Sequence, residues 1–455
     1  LSVCLWINAT DQDQMDAIIG GIALATRTGV HSLQRVGQQV IGRREALSGL
    51  GVALAMGRRG FADGGRPLRV AGLTTVYHHN SHADMILGRL LQGYSLDWSG
   101  EYPGMKMGAL YIEQVHPKDI GRDMAQLCDV PLVGSVEDAL ERTYVEGGLD
   151  GILFVAEHGN YGESDTGQFM YPKREWFERL VKWMDARGVV VPVFIDKMFS
   201  HRWEDAAWMW GEARRFGIPL MAGSTLPITW RLPAADVERG GRLREVGVLS
   251  YGRLDSYGFH ALEILQSLAE RRAGGESGVR RVRALSGDAV WDALQDGTVD
   301  AELYEQVLNR PEGRQLRRNK PLREQVKVPV LFLVEYRDGL KGSVLALKEV
   351  YPDWTAGWRY EDKRLEGAVF WTQEARPFAH FEHLTRAIEG FFRTRKSPWP
   401  VDRTFMTTGL LDALLVSKRD GGGWLDTPQL GFAYSMSSDW SPLPEPPTGR
   451  PIHGP

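Results

Sequence analysis

Cysteine is nearly absent from this chain: Cys4 and Cys128 are the two in 455 residues. Two thiols so far apart make neither a disulfide framework nor a cysteine-rich zinc site, and such scarcity suits cytoplasm and periplasm alike. An excess of positive charge is also missing. With 54 Lys and Arg against 58 Asp and Glu the net charge is −4, so no basic field draws in nucleic acid or an anionic membrane surface. No apolar run reaches bilayer-spanning length, and there is no internal repeat. Glycine is absent from one turn where it would be informative, in "RVAGLTTVYHHNSHADMI" (residues 69–86). A short apolar strand there meets three histidines before the amphipathic stretch Ala83 to Leu91.

What is present describes a soluble globular protein. Hydrophobic content of 43% and charged content of 25% are ordinary, and the length suffices for two or three domains. Near the start, "GRREALSGLGVALAMGRRG" sets Arg43 and Arg44 before a short apolar run, Ala46 to Met56, with more arginine behind. Twin arginines, a modest apolar region and a polar exit read as an export signal over residues 41–64, hence a periplasmic destination; an amphipathic helix packed on the body is the plain alternative, with a cytoplasmic one. Some forty residues precede it and the first residue is Leu1, which reads as an extension from a mis-assigned start. Residues 1–66 are therefore expected to be a leader. The tail, residues 436–455, is proline-rich and reads as disordered or loosely attached.

From Leu68 onward strands and helices alternate, the mark of a parallel sheet built from βαβ units. Strands are expected at Arg69–Leu73, Lys106–Ile112, Gly151–Ala156, Val189–Ile195 and Pro219–Gly223. Between the last three, Trp176, Phe177, Leu180, Val181 and Met184 recur at helical spacing, as do Trp203, Ala206, Ala207, Trp210 and Ala213. After about Leu226 longer strands are expected at Val246–Tyr251, Val279–Leu285, Val328–Tyr336, Gly342–Val350 and Leu365–Trp371, with helices at Phe259–Arg271, Phe381–Phe392 and Arg403–Val416. The fold class is thus a Rossmann-like, doubly wound α/β domain at 67–225, followed by an α+β domain at 226–435 with a large open mixed or antiparallel sheet.

Five stretches carry a family resemblance: "VPLVGSVEDALERTYVEGGLDGILFVAEHGNY", "VPVFIDKMFSHRWEDAAWMWGEARRFGIPLMAG", "RLDSYGFHALEIL", "VEYRDGLKGSVLAL" and "PVDRTFMTTGLLDALLVSKRDGGGWLDTP". Together, over roughly Leu68 to Pro428, the chain resembles the glucose–fructose oxidoreductase, inositol dehydrogenase and MocA-like (Gfo/Idh/MocA) family of two-domain sugar dehydrogenases. The resemblance implies an NAD(P) cofactor, a sugar or polyol substrate, and oligomers built through the second sheet. Asp196, Lys197 and Met198 stand where the family has Glu-Lys-Pro. Gly258, His260 and Glu263 are in register with Asp-x-Gly-x-His-x-x-Asp, which puts Ser256, with Asp255 beside it, on the family's catalytic aspartate.

The resemblance assigns His260 as acid/base and Lys197 as the cation that polarises the reacting oxygen; Asp255 or Glu263 would orient the imidazole. The three fingerprint glycines fall on Thr74, Val76 and His79. A β-carbon at each crowds the approach of backbone to pyrophosphate, so a dinucleotide would be held by helix dipole and side chains instead. Glu113 ends the second strand, where the family's acid meets a ribose hydroxyl, and Glu157 and His158 follow the fourth. His82, Tyr161, Trp230 and Arg231 are the expected substrate contacts, tryptophan for stacking on a sugar face and arginine for a bidentate grip.

The histidines allow a second chemistry. His78 and His82 are four apart and would share a helix face. With His158 and Glu157 they supply a candidate ligand set for metal-assisted lyase, isomerase or hydrolase chemistry on a carbohydrate. Hydrogen bonding to loop backbone or to a polyol is the plain alternative, and no metal is assigned. A non-catalytic carbohydrate-binding relative is the third reading.

Overall fold

The computed structural model describes residues 66–310, 320–348 and 353–436. The twin-arginine run and nearly all of the expected leader and tail lie outside these residues.

Six strands form the first sheet: β1 (Leu68–Thr74), β2 (Met105–Ile112), β3 (Leu132–Val133), β4 (Gly151–Val155), β5 (Val193–Asp196) and β6 (Leu220–Gly223). All pairs are parallel, in the order β3-β2-β1-β4-β5-β6. This is the strand order of a dinucleotide-binding fold, with the carboxyl ends of β1 and β4 side by side at the point where the order reverses. β4 and β5 are buried along their whole length, which explains why they read as unbroken apolar runs and not as alternation. Helices α1 (His82–Gln92), α2 (Gly121–Leu127), α3 (Val136–Val145), α4 (Lys173–Arg187) and α5 (Trp203–Phe216) connect them. α1 begins where Ser81 caps the amide of Asp84, and α4 and α5 each stop at a left-handed glycine, Gly188 and Gly217.

The second sheet has eight strands in the order β14-β9-β10-β11-β8-β12-β13-β7. They are β7 (Trp230–Leu232), β8 (Leu243–Ser250), β9 (Val279–Ser286), β10 (Pro329–Tyr336), β11 (Lys341–Leu347), β12 (Trp354–Tyr360), β13 (Leu365–Trp371) and β14 (Leu425–Asp426). Only β8 and β11 run parallel; the other pairs are antiparallel. The expected mixed sheet is present. β12 was absent from the sequence expectations because its segment, WTAGWRY, carries a central glycine, Gly357, and no run of β-branched residues.

Six helices accompany this sheet: α6 (Tyr257–Ala269), α7 (Asp288–Ala293), α8 (Ala301–Asn309), α9 (Leu322–Gln325), α10 (His380–Thr394) and α11 (Val401–Arg419). α6 and α11 bury one face of the sheet, where Leu262, Leu265, Leu410 and Leu414 meet Val248, Phe332 and Val344. α7 and α8, carried by the long connection from β9 to β10, bury the other: Trp291, Leu303 and Tyr304 cluster with Leu249, Leu331 and Leu345.

The two lobes interlock. Although it follows the second sheet in sequence, α10 packs on the first, placing Phe381, Leu384, Ile388 and Phe392 against Val70, Leu153 and Phe194. α11 lies between the lobes: Thr404 donates to the carbonyl of Ala222 at 3.0 Å, and Asp412 accepts the amide of Trp203 at 3.0 Å. Arg403, 1% exposed, grips the fully buried Glu270 from Nη2 to Oε1 at 2.6 Å. Removing one partner of such a pair strands the other charge, which costs about 3–5 kcal/mol, whereas replacing both with apolar groups is near neutral. Arg403→Leu is accordingly expected to lower the unfolding free energy by about 3–5 kcal/mol, and adding Glu270→Leu should recover most of it; denaturant titration of the three proteins checks both.

Candidate active site

Lys197 and His260, 63 positions apart in the chain, line one cavity of about 380 Å³. The first lobe contributes His82 from the start of α1, Glu157 and His158 from the end of β4, Lys197 and Met198 from the end of β5, and Thr225 and Leu226 from beyond β6. The second lobe contributes Asp255, Tyr257 and His260 from α6 and the turn before it, Tyr251 beyond β8, Trp354 on β12 and Glu374 beyond β13. These first-lobe groups follow the carboxyl ends of parallel strands, where such folds bind ligands, and Phe378, His380 and Phe381 around the start of α10 complete the wall.

Burial and charge set the state of each group. Lys197 is 5% exposed and Glu157 3%, and Lys197 Nζ lies 3.1 Å from Glu157 Oε2. A second buried cation, Lys173 on α4, donates from Nζ to Glu157 Oε1 at 2.7 Å and to the carbonyls of Asp196 at 2.9 Å and Met198 at 3.0 Å. Burial works against the Glu157 charge, yet the two ammonium groups overcome it and hold its pKa below the ordinary carboxylate range. Burial likewise opposes the Lys197 charge, and Glu157 and Asp196 outweigh it, so its pKa is raised. The backbone of Lys197 is left-handed, φ 62°, a conformation non-glycine residues adopt at a cost and mostly where function fixes them. Its amide donates to the Gly223 carbonyl at 3.2 Å, which ties the end of β5 to β6.

His260 is the complementary group. Burial first, then the nearby Lys197 charge, pushes its pKa well below the ordinary imidazole value, so it is a neutral base at neutral pH. Its Nδ1 lies 2.6 Å from Ser224 Oγ, and Ser224 Oγ also accepts the amide of Leu226 at 3.0 Å. The amide of Ser224 donates to Glu263 Oε2 at 3.3 Å, and Thr407 Oγ1 donates to Glu263 Oε1 at 2.6 Å. Gly223 makes this close approach feasible: a β-carbon there would sit 2.6 Å from both Glu263 Oε2 and Thr404 Oγ1, and its φ is +123°.

Of the two expected orienting residues, Asp255 and Glu263, it is Glu263 that stands behind the imidazole, through Ser224. Asp255 lines the cavity but accepts from Arg253 at 3.2 Å and from the Ser256 amide at 2.8 Å; Ser224, backed by Glu263, holds the imidazole. Ser224 and Lys173 were missed because each acts through a contact distant in sequence. A histidine facing a serine 36 residues away leaves no local pattern. The wall of Tyr251, Tyr257 and Trp354 was missed for the same reason. Tyr257 stacks on Trp354 at 14° between planes, and Tyr251 lies 4.9 Å from Trp354 between ring centroids.

Several other expected contacts lie elsewhere. Trp230 packs with Val369 and Trp371 and meets the His383 ring at 5.0 Å. Arg231, 1% exposed, donates to the carbonyls of Thr229 and Pro227, each at 2.8 Å. Both belong to β7, which pairs with β13, so these side chains stabilise an edge strand and do not face the cavity. Tyr161 donates its hydroxyl to Glu113, and neither lines the cavity. His82 does line it, with Nδ1 2.6 Å from Asp196 Oδ2. His78 precedes α1, so the expected shared helix face with His82 is not formed. Among the described residues no three His, Cys, Asp or Glu side chains are grouped as metal ligands.

The phosphate end of the crevice departs from a glycine cradle. Thr74 and Val76 are buried, with Thr74 Oγ1 donating to the Val76 carbonyl at 2.9 Å; His79 lies outside the cavity. The start of α1, where a pyrophosphate would use free amides and the helix dipole, is already occupied by a carboxylate–arginine pair: buried Asp84 accepts the Asn80 amide at 3.0 Å and pairs with Arg376 at 2.6 Å. Across the end of β1, Gln114 beyond β2 accepts the amide of Asn160 beyond β4 at 2.8 Å, parallel to the Glu113–Tyr161 bond. A dinucleotide lying on a glycine turn does not fit these residues.

No protein-family model matches the chain, and no curated protein matches it in sequence. Solved structures match its fold. GenD2 from gentamicin A biosynthesis, solved in complex with NAD, aligns at a TM-score of 0.53 and 13% identity over 80% of this chain and 98% of its own. A myo-inositol dehydrogenase from Corynebacterium glutamicum aligns at 0.48 and 12% over 79% and 98%. The likeness to GenD2 is one of fold: a parallel α/β sheet followed by a lobe with an open mixed sheet.

A pH dependence follows from the buried imidazoles. Burial, then the charges of His82 and Lys197, pushes His158 down to about 3, and His82 and His260 are lowered too. In the unfolded chain such groups titrate near ~6.5, so below that pH the unfolded state binds protons that the folded state does not. Stability contributed by the neutral imidazoles is present above the unfolded value and lost as pH falls through it toward the folded one. His158→Gln should make the loss of unfolding free energy between about pH 6.5 and 3 shallower, measured by equilibrium unfolding across that range.

Proposed function

We propose that this chain is an oxidoreductase acting on a hydroxyl or carbonyl carbon of a sugar or polyol. The observation that most supports this is the meeting of a charged ammonium and a neutral imidazole, Lys197 and His260, on one cavity. A cavity of about 380 Å³ is of the size that takes a small ligand, and the aromatic wall offers flat faces against which a sugar ring packs.

The roles follow from the charge states. With the Lys197 ammonium directed at the reacting oxygen, negative charge developing there as the O–H proton departs is stabilised before it fully forms. His260, poised as a base, takes that proton. Ser224 holds the opposite face of the imidazole, so the ring presents Nε2 to the cavity. Glu157 keeps Lys197 charged, and Lys173 keeps Glu157 charged. A nicotinamide, as in the NAD complex of GenD2, would supply the hydride acceptor, and on the fold likeness NAD(P) is the proposed cofactor. Its phosphate contacts must then be other than a glycine turn, and no step above depends on them.

The side chains bridging the crevice favour one further reading: proton chemistry alone, as a lyase or isomerase working on a carbon acidified by a neighbouring carbonyl, with the same base and the same cation. Analysis of the native protein separates the two. Nicotinamide nucleotide released on denaturation, or NAD(P) binding in calorimetry, supports the oxidoreductase; a clean negative in both removes it and leaves the acid–base reading. In either case Lys197→Met and His260→Gln are each expected to lower turnover by about 10²–10⁴-fold while sugar binding, read by calorimetry, changes far less. Variants with turnover within a few-fold of wild type would place the chemistry elsewhere.

A further inference from the structure

Two further imidazoles line the cavity and take no part in the proton step above: His82 at the start of α1 and His380 at the start of α10. They flank one ring. The Phe381 centroid lies 5.2 Å from that of His82, with the planes at 87°, and 4.8 Å from that of His380. His380 is 4% exposed, and the turn that delivers it is fixed from the first lobe. Thr225 Oγ1 donates to the His380 carbonyl at 2.7 Å, and Arg89 Nη2 donates to the Phe378 carbonyl at 2.9 Å. Phe378 itself is left-handed, φ 50°, a conformation that persists only where the surroundings impose it.

Hydrogen bonds give the two rings opposite polarity. The Gln373 amide donates to His380 Nδ1 at 3.2 Å, and Gln373 is held in turn as its Oε1 accepts the Ala379 amide at 2.8 Å. A neutral ring that accepts on Nδ1 carries its proton on Nε2, so His380 offers a donor. His82 Nδ1 lies 2.6 Å from Asp196 Oδ2. Burial raises the Asp196 pKa, but the Lys197 and Lys173 charges oppose it, and a carboxylate only accepts. The His82 proton is therefore on Nδ1, and its Nε2 is an acceptor. Burial keeps both rings neutral, aided by the Lys197 charge at His82 and the Arg89 charge at His380. Neither Nε2 has a hydrogen-bond partner among the described residues, and neither is sealed in protein as His158 Nε2 is.

We propose that His82 and His380 form a subsite that reads neighbouring hydroxyls of the ligand, His82 as acceptor and His380 as donor. This deepens, and rests on, the reading of the cavity as one for a sugar or polyol. The edge of a ligand that lies here has to donate to one ring and accept from the other, and a pair of hydroxyls does both. A carboxylate has no proton for His82 Nε2, and an ammonium group has no lone pair for the N–H of His380. An apolar edge leaves both nitrogens unpaired, which is how a site built for hydroxyls rejects analogues that lack them. No proton is transferred at this subsite. It selects and positions the ligand, and the proton step stays with His260.

Histidine labelled with ¹⁵N in the full chain tests the polarity without any ligand: Nε2 should be bare in His82 and protonated in His380. The opposite tautomer at either ring overturns the subsite. Titration with myo-inositol, glucose and xylitol as probes should then move both Nε2 resonances together with at least one of them, whereas cyclohexanol, with its single hydroxyl, should move at most one. For the polyol that moves both, His380→Phe should raise Kd about tenfold, and His380→Gln, which keeps an N–H donor, should recover most of that loss. Under turnover the loss should fall on KM with kcat little changed. Resonances unmoved by all three polyols, or equal loss in the Phe and Gln variants, overturns the proposal. A polyol that engages both rings and is never oxidised upholds the subsite and removes the oxidoreductase reading; oxidation with both rings unperturbed does the reverse.

Discussion

A buried carboxylate between two buried ammonium groups governs this molecule's site. Glu157 could not remain ionised at 3% exposure alone; Lys173 and Lys197 supply the compensating charge from two different elements. Lys173 also donates to the carbonyls at the end of β5, so the same ammonium that secures Glu157 secures the turn from which Lys197 projects. The geometry of the strand ends and the charge state of the candidate electrophilic cation are thus one arrangement. Lys197 enters the cavity already paired.

The second lobe supplies the opposite kind of group. His260 is kept neutral by burial and by the charge it faces, and it is held by a hydroxyl whose own position depends on a glycine beside Glu263. A cation on one wall and a neutral base on the other is a division that two lobes can make and one element cannot, since each needs a different environment. The interlocking of α10 and α11 with the first sheet keeps those two walls in register.

Much of the fold was legible in the sequence. Strands buried on both faces announce themselves as apolar runs, and the helices between them by their spacing, so the parallel sheet and most of the mixed sheet could be anticipated. β12 escaped because Gly357 stands in the middle of a short segment with no β-branched run, and α7 and α8 because none of the stretches that carry the resemblance covers the excursion between β9 and β10. Of the site, Lys197, His260, His82, Glu157 and His158 were legible. Trp230 and Arg231 were placed wrongly because their direction is set by the pairing of β7 with β13, which no property of their own segment reveals.

Composition and spacing by themselves determined that this chain folds around a parallel α/β sheet with a second open sheet and that the first turn lacks its glycines. Those are properties of neighbours along the backbone, and side-chain size and periodicity encode them; the places of Lys197 and His260 in chain order came from the family resemblance. Only the tertiary structure decided that Ser224 and not Asp255 faces the His260 imidazole, and that Lys173 completes the charge on Glu157. Each of these joins residues far apart in sequence, and a contact of that kind exists only after the chain has paid the entropy of closing the loop between them.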